Sequence, residues 1–374
     1  MIEVVCQANC SLHKKDALVK SQNKDSMETT SRTDIKNLSK EQLGVWLEAN
    51  RIKPYRAGQI LKWVYLHQAD DFNSMTNLGQ ELRSMLDARF AIGRLEIVRI
   101  ETSRDGSQKF LFRLEDGRHI ESVLIPEKNH YTLCISSQVG CAMGCRFCLT
   151  AKGGFVRNLT AAEIISQVRD IRNRTDRTFP LSNIVFMGMG EPLANYASVI
   201  QAVRTLTDSG FGLEFSTRKV TLSTAGLVPE LLQLGRDVAV NLAISLNATD
   251  NDTRSHLMPI NRKYPLEVLL DACRQYPLPP RKRITFEYIL LKDINDSPED
   301  ARRLVQLLKP IRAKINLIPF NEHAGSSCRR PDEKTILNFQ EILVQHHYTA
   351  MIRHSKGQDI SAACGQLKAS HESS

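Results

Sequence analysis

The spacing of apolar residues changes twice along the chain, and each change marks a boundary. From residue 39 the period is helical. Ser39-Lys40-Glu41-Gln42 has the form of a capping box, in which the N-cap hydroxyl and the side chain three residues on satisfy each other's backbone N–H groups. Leu43, Trp46 and Leu47 then share one helical face. Pro54 suits the start of a second helix, whose apolar positions are Ile60, Leu61, Val64 and Leu66. Leu78, Leu82, Met85 and Leu86 mark a third. Residues 35–92 are therefore expected to form a small helical accessory domain, serving either for packing or for docking RNA. Residues 1–34 are polar and without period, and are expected as a disordered tail.

The period then shortens to two. Phe110, Phe112 and Leu114 alternate with polar residues, Asp116-Gly117 makes a hairpin turn, and Ile120–Ile125 returns, so 93–130 reads as a β-hairpin segment. Glu121 interrupts the return strand, a place where a carboxylate usually faces solvent. From residue 131 strand-like runs alternate with amphipathic helices. The runs are Thr132–Ile135, Ile184–Met187, Val220–Leu222, Val238–Leu246, Ile284–Leu290, Ile315–Ile318 and Thr349–Ile352. Thr160-Ala161-Ala162-Glu163 caps one intervening helix, and Leu266, Val268, Leu269, Leu270 and Ala272 line another. This alternation predicts an α/β core over 131–355, a parallel sheet covered on its outside. Six or so units are too few for an eight-fold barrel, so the expectation is a partial (β/α)6 TIM-like barrel, with ligands at the carboxyl ends of its strands. Residues 356–374 follow as a loop and tail.

Composition narrows the setting. Across 374 residues, 50 Lys and Arg against 41 Asp and Glu give +9, which favours a polyanionic partner without specifying one. No apolar run approaches the roughly 20 residues needed to span a bilayer. Nor does the N-terminus have a signal-peptide core. The expectation is a cytoplasmic protein with no membrane partner. In a reducing compartment its nine cysteines indicate metal binding or catalysis more than a disulfide framework. Cys6 and Cys10, in the tail, and Cys273 and Cys328 are given no role.

The chemistry concentrates just after the first strand of the core. Cys141, Cys145 and Cys148 lie at spacing C-x3-C-x2-C on one tight loop. Three soft thiolates suit an iron–sulfur cluster or zinc, yet one coordination position stays open for a substrate or cofactor. Other strand ends carry polar residues in the same way: Gly190-Glu191 after the second strand, Ser223 after the third, Ser245-Leu246-Asn247 after the fourth, and Asn321 after a later one. One such end is most often a turn; four in register around a cysteine loop indicate a cofactor pocket. Arg281-Lys282-Arg283, Arg329-Arg330 and Lys152 are candidate phosphate contacts, each of which could equally be a solvated surface.

The cysteine loop resembles the radical S-adenosylmethionine superfamily, in which three cysteines hold a 4Fe–4S cluster and the open iron chelates the methionine part of the cofactor. The Gly190-Glu191-Pro192 turn is similar to the motif that meets the cofactor's amino group. Within the superfamily, Cys134-Ile135-Ser136-Ser137-Gln138-Val139-Gly140-Cys141, Gly153-Gly154-Phe155-Val156-Arg157-Asn158-Leu159-Thr160, Leu257-Met258-Pro259 and Ala362-Ala363-Cys364-Gly365-Gln366-Leu367 resemble the adenine-C2 RNA methyltransferases, from about residue 40 to residue 367. The resemblance implies one 4Fe–4S cluster per chain on Cys141, Cys145 and Cys148. It also implies S-adenosylmethionine held by Gly190, Glu191, Ser223, Ser245, Leu246, Asn247 and Asn321. Two cofactor molecules would be used. The first methylates Cys364, and the second yields a radical that takes a hydrogen from that methyl, so that the resulting methylene adds to adenine C2. Glu121 then matches the proton acceptor, and Cys134 the thiol that releases product by pairing with Cys364. The implied substrates are 23S ribosomal RNA and, in some bacteria, tRNA. A reducing donor of the flavodoxin kind supplies electrons, and the protein is expected as a monomer. Two alternatives stay open: the related adenine-C8 methyltransferase, and a non-catalytic metal-bearing RNA-binding protein.

Overall fold

The computed structural model describes residues 32–175, 179–323 and 325–369. Cys6 and Cys10 lie outside them. The first described element is β1 (Thr33–Asp34), inside the stretch read as tail, where it pairs in parallel with β2 (Phe90–Ala91). Between the two lie α1 (Lys40–Ala49), α2 (Arg56–Tyr65) and α3 (Gln80–Arg89). The capping box of α1 forms as expected, with Gln42 N donating to Ser39 Oγ at 3.2 Å and Ser39 N to Gln42 Oε1 at 2.8 Å. The predicted apolar faces are inside: Leu43, Leu47, Ile60, Leu61, Val64 and Leu86 are at most 1% exposed.

The segment expected as a hairpin holds three strands, β3 (Glu96–Thr102), β4 (Gln108–Arg113) and β5 (His119–Pro126). The pattern misses β3 because four of its seven residues are polar and none is buried. All three continue the main sheet through the antiparallel pairing of β5 with β6 (Tyr131–Cys134). After β6 come the ribbon strand β7 (Gln138–Gly140), the one-turn helix α4 (Leu149–Lys152) and the ribbon strand β8 (Phe155–Asn158). The alternating core follows as α5 (Ala161–Arg172), β9 (Leu181–Phe186), α6 (Tyr196–Thr207), β10 (Val220–Thr224), α7 (Val228–Asp237), β11 (Asn241–Ser245), α8 (Asn251–Leu257), α9 (Leu266–Gln275), β12 (Ile284–Leu290), α10 (Pro298–Leu308), β13 (Ala313–Pro319), α11 (Glu333–Gln345) and β14 (Ala350–Ile352).

The ten-stranded sheet runs β14-β13-β12-β11-β10-β9-β6-β5-β4-β3. From β6 to β14 every pairing is parallel, so six strand–helix units and a closing strand form the open barrel that the alternation predicts. Strands buried on both faces read as continuous apolar runs, and Ile284, Phe286, Tyr288, Leu290, Ile315 and Leu317 have no exposed surface.

The helical domain is fastened to the barrel by Arg169 of α5, whose side chain is fully buried. It donates to Val64 O at 3.1 Å, Ala69 O at 2.7 Å and Asp70 Oδ1 at 2.8 Å. A buried guanidinium is tolerated only where its donors are met in this way.

Candidate active site

The cysteine loop leaves the sheet through the β7–β8 ribbon at the carboxyl end of β6. Gly140 has φ +74°, and a Cβ on it would lie 1.9 Å from Gly154 O, the same oxygen that accepts from Cys141 N at 2.8 Å. Only glycine allows this approach. On its far side the loop is tied to α8 by Arg146 N donating to Leu257 O at 3.0 Å. Cys141, Cys145 and Cys148 are half-buried, unlinked by disulfides, and all line one cleft. Among the described residues no group of three or more His, Cys, Asp or Glu side chains converges on a single-ion position. What the three share is the cleft wall. Burial pushes the Cys141 thiol up to about 11 and that of Cys145 further, where Cys148 and Cys141 add to the effect.

The cleft, about 910 Å³ of space between atoms with its open mouth included, reaches across the ends of β9 to β13. Gly190 and Glu191 form its wall after β9. Glu191 Oε1 accepts from Leu193 N at 3.0 Å and Oε2 from Ala225 N at 2.7 Å, while burial raises its pKa. Ser223, Ser245 and Asn247 complete the wall over β10 and β11. Asn247 adopts φ +58° and its Oδ1 accepts from Ile289 N at 2.9 Å. Two predicted cofactor residues stand outside this lining. Leu246 is fully buried behind it, and its carbonyl accepts from Arg254 Nε at 3.1 Å. Asn321 Nδ2 donates to the Cys364 carbonyl at 3.2 Å, so this side chain holds the tail.

That tail crosses the strand ends as a strap. Gly357 N donates to Asp105 Oδ2 at 2.7 Å, Ser103 Oγ to Asp359 Oδ1 at 2.6 Å, and Lys109 Nζ to Ile360 O at 2.7 Å, all from β4 or the β3–β4 turn. Next to the cysteine loop, Leu149 N donates to Gly365 O at 2.8 Å and Thr150 Oγ1 to Leu367 O at 2.6 Å. Cys364 is thereby placed in the cleft wall among the loop cysteines. Its surface opens into the cleft, yet the protein packed around it pushes the thiol up to about 11, with the Glu287 carboxylate contributing. Cys134, at the end of β6, is buried; desolvation and then the charge of Cys364 raise its thiol. Glu121 is 3% exposed, contrary to the usual solvent-facing reading. Its Oε2 accepts from Lys368 N at 2.9 Å and Ala369 N at 3.1 Å, and Lys109 Nζ lies 3.4 Å from Oε1. Neither Cys134 nor Glu121 lines the cleft.

Of the cationic candidates, Lys152 and Arg329-Arg330 follow the cysteine loop and β13, on the site's end of the sheet. Arg281-Lys282-Arg283 precede β12 and so sit at the opposite end, where Lys282 Nζ donates to Asn241 Oδ1 at 2.5 Å and Arg283 Nη1 to Thr349 Oγ1 at 2.9 Å. Cys273, on α9, is buried in the core, and Cys328 packs against the small apolar cluster of Phe147, Met258 and Phe320 that Met143, Cys145 and Cys148 also touch.

Two residues at the site escape the sequence reading. Arg254 is 1% exposed and donates to Leu246 O, Ala225 O, Ser245 O and Asn261 Oδ1, fixing the turns after β10 and β11. Glu287 is a carboxylate inside the otherwise apolar strand β12, the same signal that marks Glu121.

Residues 33–92 match the ribosomal RNA large subunit methyltransferase N-terminal domain family, and residues 135–305 the radical SAM superfamily. A dual-specificity RNA methyltransferase RlmN of Desulfosudis oleivorans is 58% identical over 90% of this chain and 91% of its own length. A protein of the same name from Geobacter sulfurreducens is 56% identical over 90% and 92%. Among solved structures, a radical SAM methyltransferase from Sphaerobacter thermophilus superposes with a TM-score of 0.84 at 42% identity, covering 90% of this chain and 100% of that one.

Proposed function

The chain belongs to the RlmN family of radical S-adenosylmethionine RNA methyltransferases, and on that premise we propose that it methylates C2 of an adenosine in 23S ribosomal RNA and of an adenosine in tRNA. It is an enzyme with a 4Fe–4S cluster and S-adenosylmethionine as cofactors. The donor set fits: three half-buried thiols on one loop, none in a disulfide, all open on one cleft at the strand ends. Cys141, Cys145 and Cys148 would hold the cluster. Gly190, Glu191, Ser223, Ser245 and Asn247 would meet the methionine and nucleoside parts of the cofactor, with Leu246 and Asn321 supporting from behind. When bound, these groups supply the methyl and the one-electron chemistry that an aromatic carbon without an acidic proton requires.

The observation that carries this reading is that Cys364 shares one cleft with the three loop cysteines. Its sulfur carries the methyl as a thioether and becomes the covalent link to the base. Glu121 takes the proton from C2. Because its carboxylate is held by the N–H groups of Lys368 and Ala369, the end of the strap must lift for it to meet the base. The Cys134 thiolate then attacks the Cys364 sulfur. The S–S bond forms as the sulfur–methylene bond breaks, the electron pair passes to the methylene carbon, and its protonation frees the RNA with a methyl group and leaves a disulfide. The target base has to leave its stack to enter the cleft, so loop or single-stranded RNA is the form recognised. Lys152, Arg329 and Arg330 are placed to meet its phosphates. Both substrates put the enzyme in the cytoplasm, where a flavodoxin-like donor reduces it.

Family membership excludes the non-catalytic alternative, and the dual-specificity RlmN relatives favour C2 over C8. The test is a crosslink. Cys134→Ala, incubated with RNA, cofactor and reductant, is expected to accumulate RNA attached to Cys364, found by denaturing gel and peptide mass. Retained activity without crosslink would remove Cys134 from the chemistry, and deuterium loss from C8 would refute the C2 assignment.

A further inference from the structure

One ionisable group in the cleft wall has no part in the chemistry above. Glu287 lies on β12, in register between Ser245 on β11 and Asn316 on β13, and is 9% exposed. Its Oε2 accepts from Ser223 Oγ at 2.9 Å, while Oε1 accepts no hydrogen bond among the described residues. The side chain lines the cleft together with Cys364. Its charge acts on two thiols, raising the proton affinity of both Cys364 and Cys134. The other groups facing it are Ser223, Ser245, Asn316 and, past β14, Arg353. Burial raises the proton affinity of Glu287 itself.

An ordinary cysteine thiol, with a pKa of about 8.5, is mostly protonated at neutral pH, and a sulfur accepting a methyl must lose that proton. We propose that Glu287 takes the proton of the Cys364 thiol as that sulfur is methylated. The S–H bond breaks and its electron pair forms the new S–CH3 bond. The methyl–sulfonium bond of the cofactor breaks to leave a neutral thioether, and the proton comes to Glu287 Oε1. Ser223 steadies the other oxygen and leaves Oε1 free for the transfer. This inference rests on the reading of Cys364 as the methyl carrier. Glu121 serves a different proton, held by different partners.

The experiment follows methylation of Cys364 by intact mass and peptide mapping in the chain with its cluster assembled, across pH, for the native protein, Glu287→Gln and Glu287→Asp. The native rate should rise with ionisation of the carboxyl and then level off. Glu287→Gln should lose that plateau, fall on the order of 100-fold at neutral pH, and climb only toward the ionisation of the thiol itself. Glu287→Asp should keep the plateau at a reduced height. A second readout needs no cofactor: alkylation of Cys364 by iodoacetamide should shift to lower pH in Glu287→Gln, because a negative neighbour is gone. An unchanged methylation profile in Glu287→Gln, or loss of equilibrium cofactor binding in that variant, overturns the proposal. A methyl group that never appears on Cys364 of the native chain overturns the underlying reading instead.

Discussion

Thr150→Val tests whether the strap is held by discrete hydrogen bonds or by general packing. The substitution keeps the branched shape and removes one hydroxyl, the one that donates to Leu367 O at 2.6 Å from a residue only 5% exposed. Losing such a bond costs about 1 kcal/mol, and leaving the buried Leu367 carbonyl without a donor adds up to about 2 kcal/mol more. A loss of about 1–3 kcal/mol in local opening corresponds to roughly 5- to 150-fold faster exchange of the amides that open with it, since 1.4 kcal/mol is a factor of ten. The reporters are the amides of Lys368 and Ala369, which donate to Glu121 one and two residues past the lost contact. Hydrogen exchange followed by mass spectrometry should show the peptide spanning 357–369 accelerated, with the β10–β12 peptides unchanged. Iron content should be unaltered, because the cysteine loop keeps its own ties to Gly154 and Leu257. Acceleration below twofold, or acceleration spread evenly over the barrel, would refute the view that this bond latches the strap.

Gly140→Ala should displace the cysteine loop, since its Cβ would overlap Gly154 O and its φ is positive. Iron retained per chain after anaerobic reconstitution should drop sharply, whereas Gly79→Ala, with nothing within 4 Å of its added Cβ, should retain it. Asp70→Asn should lower the thermal midpoint at pH 7. Desolvation raises the Asp70 carboxyl, but hydrogen bonds from Arg94 and Arg169 outweigh it and hold its pKa below the usual value. A depressed carboxyl stabilises above its unfolded pKa and loses that contribution as pH falls through the folded one. The gap to the native protein, of about 1 kcal/mol after allowance for solvent screening, should therefore close in acid; a gap that persists at pH 2.5 would contradict the ion-pair account.

The repeating core was legible because strands buried on both faces leave unbroken apolar runs, and the capping boxes at Ser39 and Thr160 are local in sequence and formed as read. The cysteine loop was legible for the same reason. What stayed hidden depends on contacts between distant residues. β3 carries charge on an exposed edge and has no apolar alternation to announce it. Arg169 looks like a surface cation until the carbonyls of Val64 and Ala69, a hundred positions earlier, close around it. Arg281-Lys282-Arg283 reads as a candidate phosphate contact or a solvated surface, and a strand's direction decides which end a preceding cluster occupies, here the end away from the cleft. Glu287 carried a readable signal, a carboxylate in an apolar strand, and that signal gains meaning only once a thiol stands opposite.

The strap also sets an order of events during synthesis. A ribosome makes the hairpin that receives the tail, the cysteine loop and all ten strands of the sheet before it reaches Cys364. The cleft can therefore be built, and its cofactors loaded, on a nascent chain that still lacks the Cys364 sulfur to which the proposed function assigns the methyl. Docking of residues 357–369 onto Ser103, Asp105 and Lys109, made some 250 residues earlier, brings Cys364 to the cleft and on that proposal would be the step that arms the enzyme.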